Sequence, residues 1–118
     1  MLKQLFLPVS LLLTVILSVA DLNGRWLGTV KTANGDDIEV TYNFVADGEK
    51  LTGAVITQWG EHPIVDGKIT GDAFSFTQKF NEMQISHSGK IAGDSLFVKI
   101  ERAEAPVMEA IFRRSPNK

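Results

Sequence analysis

The sequence predicts an all-β protein, an eight-stranded antiparallel up-and-down β-barrel. Three observations lead to this prediction. Eight segments carry strand signals, and several of them alternate between apolar and polar residues with a period of two, which is typical of strands that bury one face. Short connections rich in Gly, Asn and Asp, residues that favour tight turns, join these segments. No segment carries apolar residues at helical spacing for long enough to compete with the strand pattern.

The eight predicted strands follow one another closely along the chain. They cover residues 23–32, 37–46, 51–59, 62–70, 73–80, 83–92, 95–101 and 107–114. The longest connection between predicted strands covers residues 102–106. It is far shorter than the roughly dozen residues that a parallel crossover needs, so neighbouring strands pair antiparallel. Closure into a barrel then removes the edge strands that would otherwise invite aggregation.

Residues 1–20 have the pattern of a secretory signal peptide. Lys3 precedes an apolar run over residues 5–20, and small residues stand before a cut at Asp21. The run is shorter than the about 20 apolar residues that span a bilayer. We therefore expect an exported protein, periplasmic or extracellular, with a single domain over residues 21–118 and no membrane span after cleavage.

Composition excludes several classes of function. The chain has 12 Lys and Arg against 14 Asp and Glu, and this mixed balance lacks the basic patch of a nucleic-acid-binding protein. It has no cysteine, so neither disulfides nor thiolate chemistry is available. The only histidines, His62 and His87, lack the close spacing typical of a zinc site. We therefore expect no metal and no cofactor.

Two short stretches carry a resemblance to a known group of barrels. Gly24-Arg-Trp26 resembles the Gly-x-Trp of the first strand in calycin-type barrels, the lipocalins and avidins. Residues 47–53, an Asp-Gly turn leading into Leu-Thr-Gly, look like the stretch after strand two of avidin-like proteins. The chain is also similar to small exported bacterial β-barrel modules that occur alone or beside glycoside hydrolases. The resemblance implies a barrel with Trp26 at its closed end. The biotin loop and tryptophan cage of avidins have no counterpart, so it does not imply biotin binding.

The meander places the candidate site at the end of the barrel opposite Trp26. Turns at 47–48, 71–72 and 93–94 lie at the tryptophan end, which leaves the other end as the mouth. Alternation directs polar and aromatic side chains inward there, as is typical of small-molecule sites. The candidate ligand-binding residues are Trp59, Gln78 and His87, with Tyr42, Thr57, His62 and Arg102 as secondary candidates.

A purely structural role for these residues is the alternative to a ligand site. Gln78 and His87 would then be core polar groups, each satisfied by a neighbour, and Trp59 would be a lid on a packed core. Patterns for catalysis are weak. Ser86 and Ser88 flank His87, but alternation points them to the opposite face, where they cannot pair with its ring. The acid–base pair nearest the mouth is Glu61-His62, and we expect no catalysis.

Two functions from different classes stay open. The first is a binding module for a small, partly apolar or sugar-like ligand at the open barrel end. The second is a structural or protein-interaction barrel with a packed interior, accessory to a secreted glycoside hydrolase. A cavity lined by Gln78, His87 and Trp59 would favour the first.

The outer wall carries a separate prediction. Alternation points Leu27, Phe97 and Ile111 outward, at one height on adjacent strands. A contiguous apolar patch usually marks a contact, so we predict a homodimer or a docking surface for another protein. The alternative is a β-bulge that turns Phe97 inward.

Overall fold

Eight antiparallel strands close into a barrel in the computed structural model, which describes residues 21–32 and 34–115. The predicted fold class is confirmed. The predicted signal peptide lies outside the described residues and stays a prediction. The strands are β1 (Gly24–Lys31), β2 (Asp37–Asp47), β3 (Lys50–Thr57), β4 (Gly60–Thr70), β5 (Ala73–Phe80), β6 (Met83–Ala92), β7 (Ser95–Arg102) and β8 (Met108–Arg114).

Each strand pairs with the next in chain order, and β8 returns to pair with β1. The closing contact is short and runs from Trp26 opposite Arg114 to Gly28 opposite Phe112. The connections are as brief as predicted, because all of them fit within five residues. In the part of the chain that the structure describes, we find no helix with the length and apolar character to cross a membrane.

Trp26 fills the closed end of the barrel, as predicted. Its ring is fully buried, and its indole N–H donates a hydrogen bond of 3.0 Å to the carbonyl oxygen of Leu22. The Arg114 guanidinium lies 4.2 Å from the centre of the ring, an arrangement that attracts the cation to the aromatic face. Arg114 also donates to the carbonyl oxygens of Asp21 and Asn23, both at 2.9 Å. The segment before β1 is therefore fastened across the closed end.

An aromatic stack fills the half of the barrel next to Trp26. The rings of Tyr42 and Phe112 stack at 4.2 Å, Phe44 stacks on Tyr42 at 4.9 Å, and Phe76 meets Tyr42 edge-on at 5.5 Å. Gly28 makes room for this stack, because a Cβ at that position would lie 2.7 Å from the ring of Phe112. This half has the close packing of an ordinary protein core.

The outer wall of β7 and β8 exposes two large apolar side chains side by side. Phe97 and Ile111 are direct cross-strand partners, 50% and 47% exposed. The register of β7 runs without a shift against both neighbours, so the bulge that would turn Phe97 inward is wrong. Leu27 is half-buried and pairs with Arg113, so the prediction of one common height is also wrong. The stagger between barrel strands places Leu27 two residues nearer the closed end than Ile111.

Candidate functional site

A cavity of about 760 Å³ occupies the mouth half of the barrel. It opens at the end away from Trp26, as the tracing of the meander predicts. Ligand cavities typically measure roughly 300–1,000 Å³, so this one has the size of a small-molecule site. Most of the area of its wall is apolar, and the aliphatic side chains in the wall include Val30, Ile38, Val40, Val55, Ile100 and Met108.

Three buried polar side chains from three strands form the floor of the cavity. The Tyr42 hydroxyl lies 2.8 Å from His87 Nδ1, and His87 Nε2 lies 3.0 Å from Gln78 Oε1. The Gln78 amide oxygen can only accept, so His87 Nε2 carries the proton and Nδ1 accepts from the Tyr42 hydroxyl. Gln78 and His87 line the cavity and are only 6% and 3% exposed.

The floor is polar but uncharged. Burial lowers the pKa of His87 from 6.5 to about 3, so its imidazole is neutral at physiological pH. Burial also raises the pKa of Tyr42 well above its ordinary value, so the phenol keeps its proton. The ring of Phe76 stacks on His87 at 4.5 Å and fixes the plane of the imidazole.

Trp59 stands at the rim of the cavity and is 55% exposed. The prediction that Trp59 ends the third strand is wrong, because β3 ends at Thr57. Thr57 and Gly60 pair directly, and a φ of +121° at Gly60 lets the chain turn within residues 58–59. The Thr57 hydroxyl accepts a 3.1 Å hydrogen bond from the Trp59 backbone N–H and supports this turn. The Trp59 ring, 6.3 Å from that of Phe80, therefore lies outside the alternation of β3.

Arg102 and Thr57 complete the polar part of the lining among the predicted residues. Arg102 is the last residue of β7 and is half-buried. Its Nε atom is enclosed and has no hydrogen-bond partner in the described structure. An enclosed donor without a partner is costly, and this one belongs to a charged group.

Tyr42 and His62 do not line the cavity. Tyr42 is the part of the floor that lies behind His87, and it reaches the cavity only through that residue. His62 packs edge-on against Phe80, with ring centres 5.2 Å apart. Phe80 lines the cavity, whereas His62 does not. Glu61 borders a groove on the outside of the barrel, so Glu61 and His62 do not form an acid–base pair. Among the described residues, no group of three His, Asp or Glu side chains could hold a metal ion.

Sequence reasoning missed part of the mouth. Met83 and Met108 line the cavity at the starts of β6 and β8, and both have the inward parity of buried residues further along their strands. Parity could have identified them. Asp36 and Asp37, at the start of β2, also border the opening.

A second concavity of about 450 Å³ lies on the outer wall over β2, β3 and β4, bordered by side chains such as Asn43, Val45 and Pro63. It lies where β3 and β4 shift register. The groove holds none of the predicted site residues, so the inner cavity is the candidate site.

Comparisons with known proteins identify the fold. No protein-family model and no curated protein matches the chain. A fatty acid binding protein of Schistosoma mansoni, solved in complex with arachidonic acid, is 13% identical, with 83% of this chain and 98% of that one covered and a TM-score of 0.55. A fatty acid transporter, REP1-NXSQ, is 16% identical, with coverage of 84% and 99% and a TM-score of 0.54. A de novo designed fluorescence-activating β-barrel is 12% identical, with coverage of 86% and 100% and a TM-score of 0.59. The fold is calycin-like, and at these identities the likeness concerns the fold alone.

Proposed function

We propose that this protein is a binding module that holds one small, partly apolar ligand in the mouth half of the barrel and performs no catalysis. The observation that carries the proposal is the 760 Å³ cavity above a hydrogen-bonded, uncharged floor. An aliphatic wall releases water when an apolar chain enters, which favours binding in proportion to the area buried.

The similar structures support an elongated apolar ligand. One of them is a fatty acid binding protein solved with arachidonic acid, a long apolar chain with one polar end. Another is described as a fatty acid transporter. A sugar-like ligand has one supporting observation, the exposed ring of Trp59 at the rim, on which a sugar could stack. The wall below the rim offers few polar partners for sugar hydroxyls.

The competing function is an interaction barrel with a filled interior. Its premise holds for the floor, because Gln78 and His87 do satisfy each other. It fails for the mouth half, where the cavity is far larger than a few water molecules need. An association with a secreted glycoside hydrolase stays a prediction from the resemblance.

A thermal-shift screen tests the proposed function. The purified protein is heated with lipids, vitamins and oligosaccharides, each in large excess. A ligand that binds only the folded state raises the melting temperature by mass action. We expect the largest shift from amphiphiles with an extended apolar chain. A screen in which oligosaccharides alone shift the melting temperature would contradict the apolar ligand, and a screen without any shift would favour the interaction barrel.

Export is part of the proposal and has its own test. We expect N-terminal sequencing of the protein recovered from outside the cytoplasm to begin at Asp21. Protein that is retained inside the cell with Met1 or Leu2 as its first residue would contradict export.

A further inference from the structure

Among the described residues, Arg102 has no acidic partner, and it lies at the edge of the cavity. It ends β7 at the mouth, and it lines the cavity. Its Nε–H is enclosed, yet no acceptor lies within hydrogen-bond distance among the described residues. A buried charged donor without a partner destabilises a protein, so its presence calls for a partner that the described chain does not supply.

No carboxylate among the described residues forms an ion pair with Arg102. The described residues form two ion pairs, which join Lys31 to Asp37 and Arg114 to Asp94. Asp36 and Asp37 also border the cavity, but both are exposed to water, and Asp37 already holds the Lys31 ammonium at 2.9 Å. Water satisfies these two carboxylates, whereas the enclosed Nε of Arg102 is shielded from it.

We propose that the ligand is an anionic amphiphile whose acidic head binds Arg102 near the mouth while its apolar tail extends into the cavity. This inference rests on the proposed function and names the ligand class of the same site. A carboxylate suits the position because a guanidinium can donate two parallel N–H bonds to its oxygens. The charged hydrogen bond would also satisfy the enclosed Nε–H.

The floor explains why the head lies at the mouth and the tail points inward. Tyr42, His87 and Gln78 already use their polar atoms on one another, and none of them carries a charge at neutral pH. A carboxylate at that depth would lose its hydration without meeting a cation. The area of the cavity wall is mostly apolar, which suits a tail.

A matched series of ten-carbon probes tests the head group. Decanoate, decanol and decylamine have the same tail and differ in head charge, and each is titrated calorimetrically into the purified full-length protein at neutral pH. We expect decanoate to bind about tenfold or more tightly than decanol, since a charge-assisted hydrogen bond contributes at least that much. In Arg102→Gln the advantage of decanoate should disappear while decanol binds as before.

Two further readouts separate the outcomes. Lys99→Gln removes an exposed cation three residues away on the outer face of β7 and should leave all three affinities unchanged. Without ligand, Arg102→Gln should melt at the same temperature as the wild type or higher, because it removes an unsatisfied buried donor.

Each other outcome overturns a specific statement. Equal binding of decanoate and decanol would overturn the role of Arg102 and leave the proposed function standing. Tightest binding of decylamine would assign head recognition to Asp36 and Asp37 instead. If none of the three probes binds, the proposed function itself fails. An equal loss of decanoate affinity in Lys99→Gln would show that attraction to the whole surface, and not Arg102, selects the anion.

Discussion

His87 keeps a neutral ring in the folded protein because its surroundings offer hydrogen bonds but no counter-charge. It accepts from Tyr42, donates to Gln78 and stacks on Phe76. Protonation would put a donor on Nδ1, where Tyr42 already donates, and would place a charge where water does not reach. The pKa of about 3 follows from this burial.

We predict that the protein loses stability as the pH falls below about 6.5 because of this one residue. In the unfolded chain the imidazole takes up a proton near pH 6.5, whereas in the folded protein it does so only near pH 3. Within that window the unfolded state binds more protons, so the free energy of unfolding falls by up to about 1.4 kcal/mol per pH unit. Urea unfolding between about pH 6.5 and 5, above the range in which most carboxylates titrate, measures this slope.

Two observations serve as controls for that slope. The variant His87→Gln should lose most of the pH dependence of the free energy of unfolding. The variant His62→Gln should keep the part of that dependence that His87 causes. In the folded wild type, the ring resonances of His87 should show a neutral imidazole down to about pH 4. A His87 ring that titrates near its ordinary pKa would contradict the buried network.

The residues of the floor could be predicted one by one, but their connection could not. Alternation places Tyr42, Gln78 and His87 on the inside of their strands. Tyr42 and His87 lie 45 positions apart in the sequence, on strands that are not neighbours in the barrel. Their contact depends on the stagger of the whole barrel, which the local pattern does not contain.

At the scale of the elements, β1 and β8 share the task of closing the barrel. Their direct pairing is short, and Arg114 extends it by bonding to the segment before β1 and to Asp94 in the turn after β6. Because Arg114 also lies on the face of Trp26, this end combines apolar burial with charged hydrogen bonds.

We predict that Trp26→Ala lowers the free energy of unfolding by about 3–5 kcal/mol, the range for large-to-small changes of a buried aromatic residue. That is a large share of the roughly 5–15 kcal/mol of a typical domain. The matched control is Trp59→Ala, which truncates the same residue type where it is 55% exposed and should cost far less. Denaturant midpoints compare the two variants. Equal midpoints would contradict the assignment of Trp26 to the closed end.

Phe97 and Ile111 give β7 and β8 an apolar outer face, and we predict self-association or partner binding through it. The wild type should either form a species larger than the monomer in sedimentation velocity or recover a bound partner. The double variant Phe97→Lys, Ile111→Lys should abolish that association. Val45→Lys is the control, since it changes an equally exposed apolar residue on a different strand. A wild type that is monomeric at high concentration and recovers no partner would refute the contact.

Local irregularities account for most of the errors in element boundaries. The turn at residues 58–59 depends on Gly60. The predicted third strand extends through this turn to residue 59, whereas β3 ends at Thr57. In β4 the register against β5 shifts between Val65 and Lys68, so Ile64 and Ile69 both pair with inward residues of β5 although their parities differ. A β-bulge of this kind has a weak sequence signal, here an ordinary Asp-Gly pair at residues 66–67.

At the scale of the whole molecule, the barrel is divided into two halves with different roles. Rings of Tyr42, Phe44, Phe76 and Phe112 fill the half next to Trp26 and stabilise it. The mouth half keeps a cavity of about 760 Å³ with a wall that is mostly apolar in area. The sequence predicts the closed end and the inward residues, but it does not predict the volume between them, because that volume depends on how far the aromatic rings reach.

Binding inside the barrel is tested most directly by an amide NMR titration of the purified protein with decanol, a probe that does not depend on the charge of Arg102. The largest shifts should fall on inward residues of the mouth half, such as Val40, Val55 and Ile100, with little change at Phe97 and Ile111 on the outer wall. Shifts centred on Phe97 and Ile111, or no shifts at the solubility limit of decanol, would contradict a ligand site in the cavity.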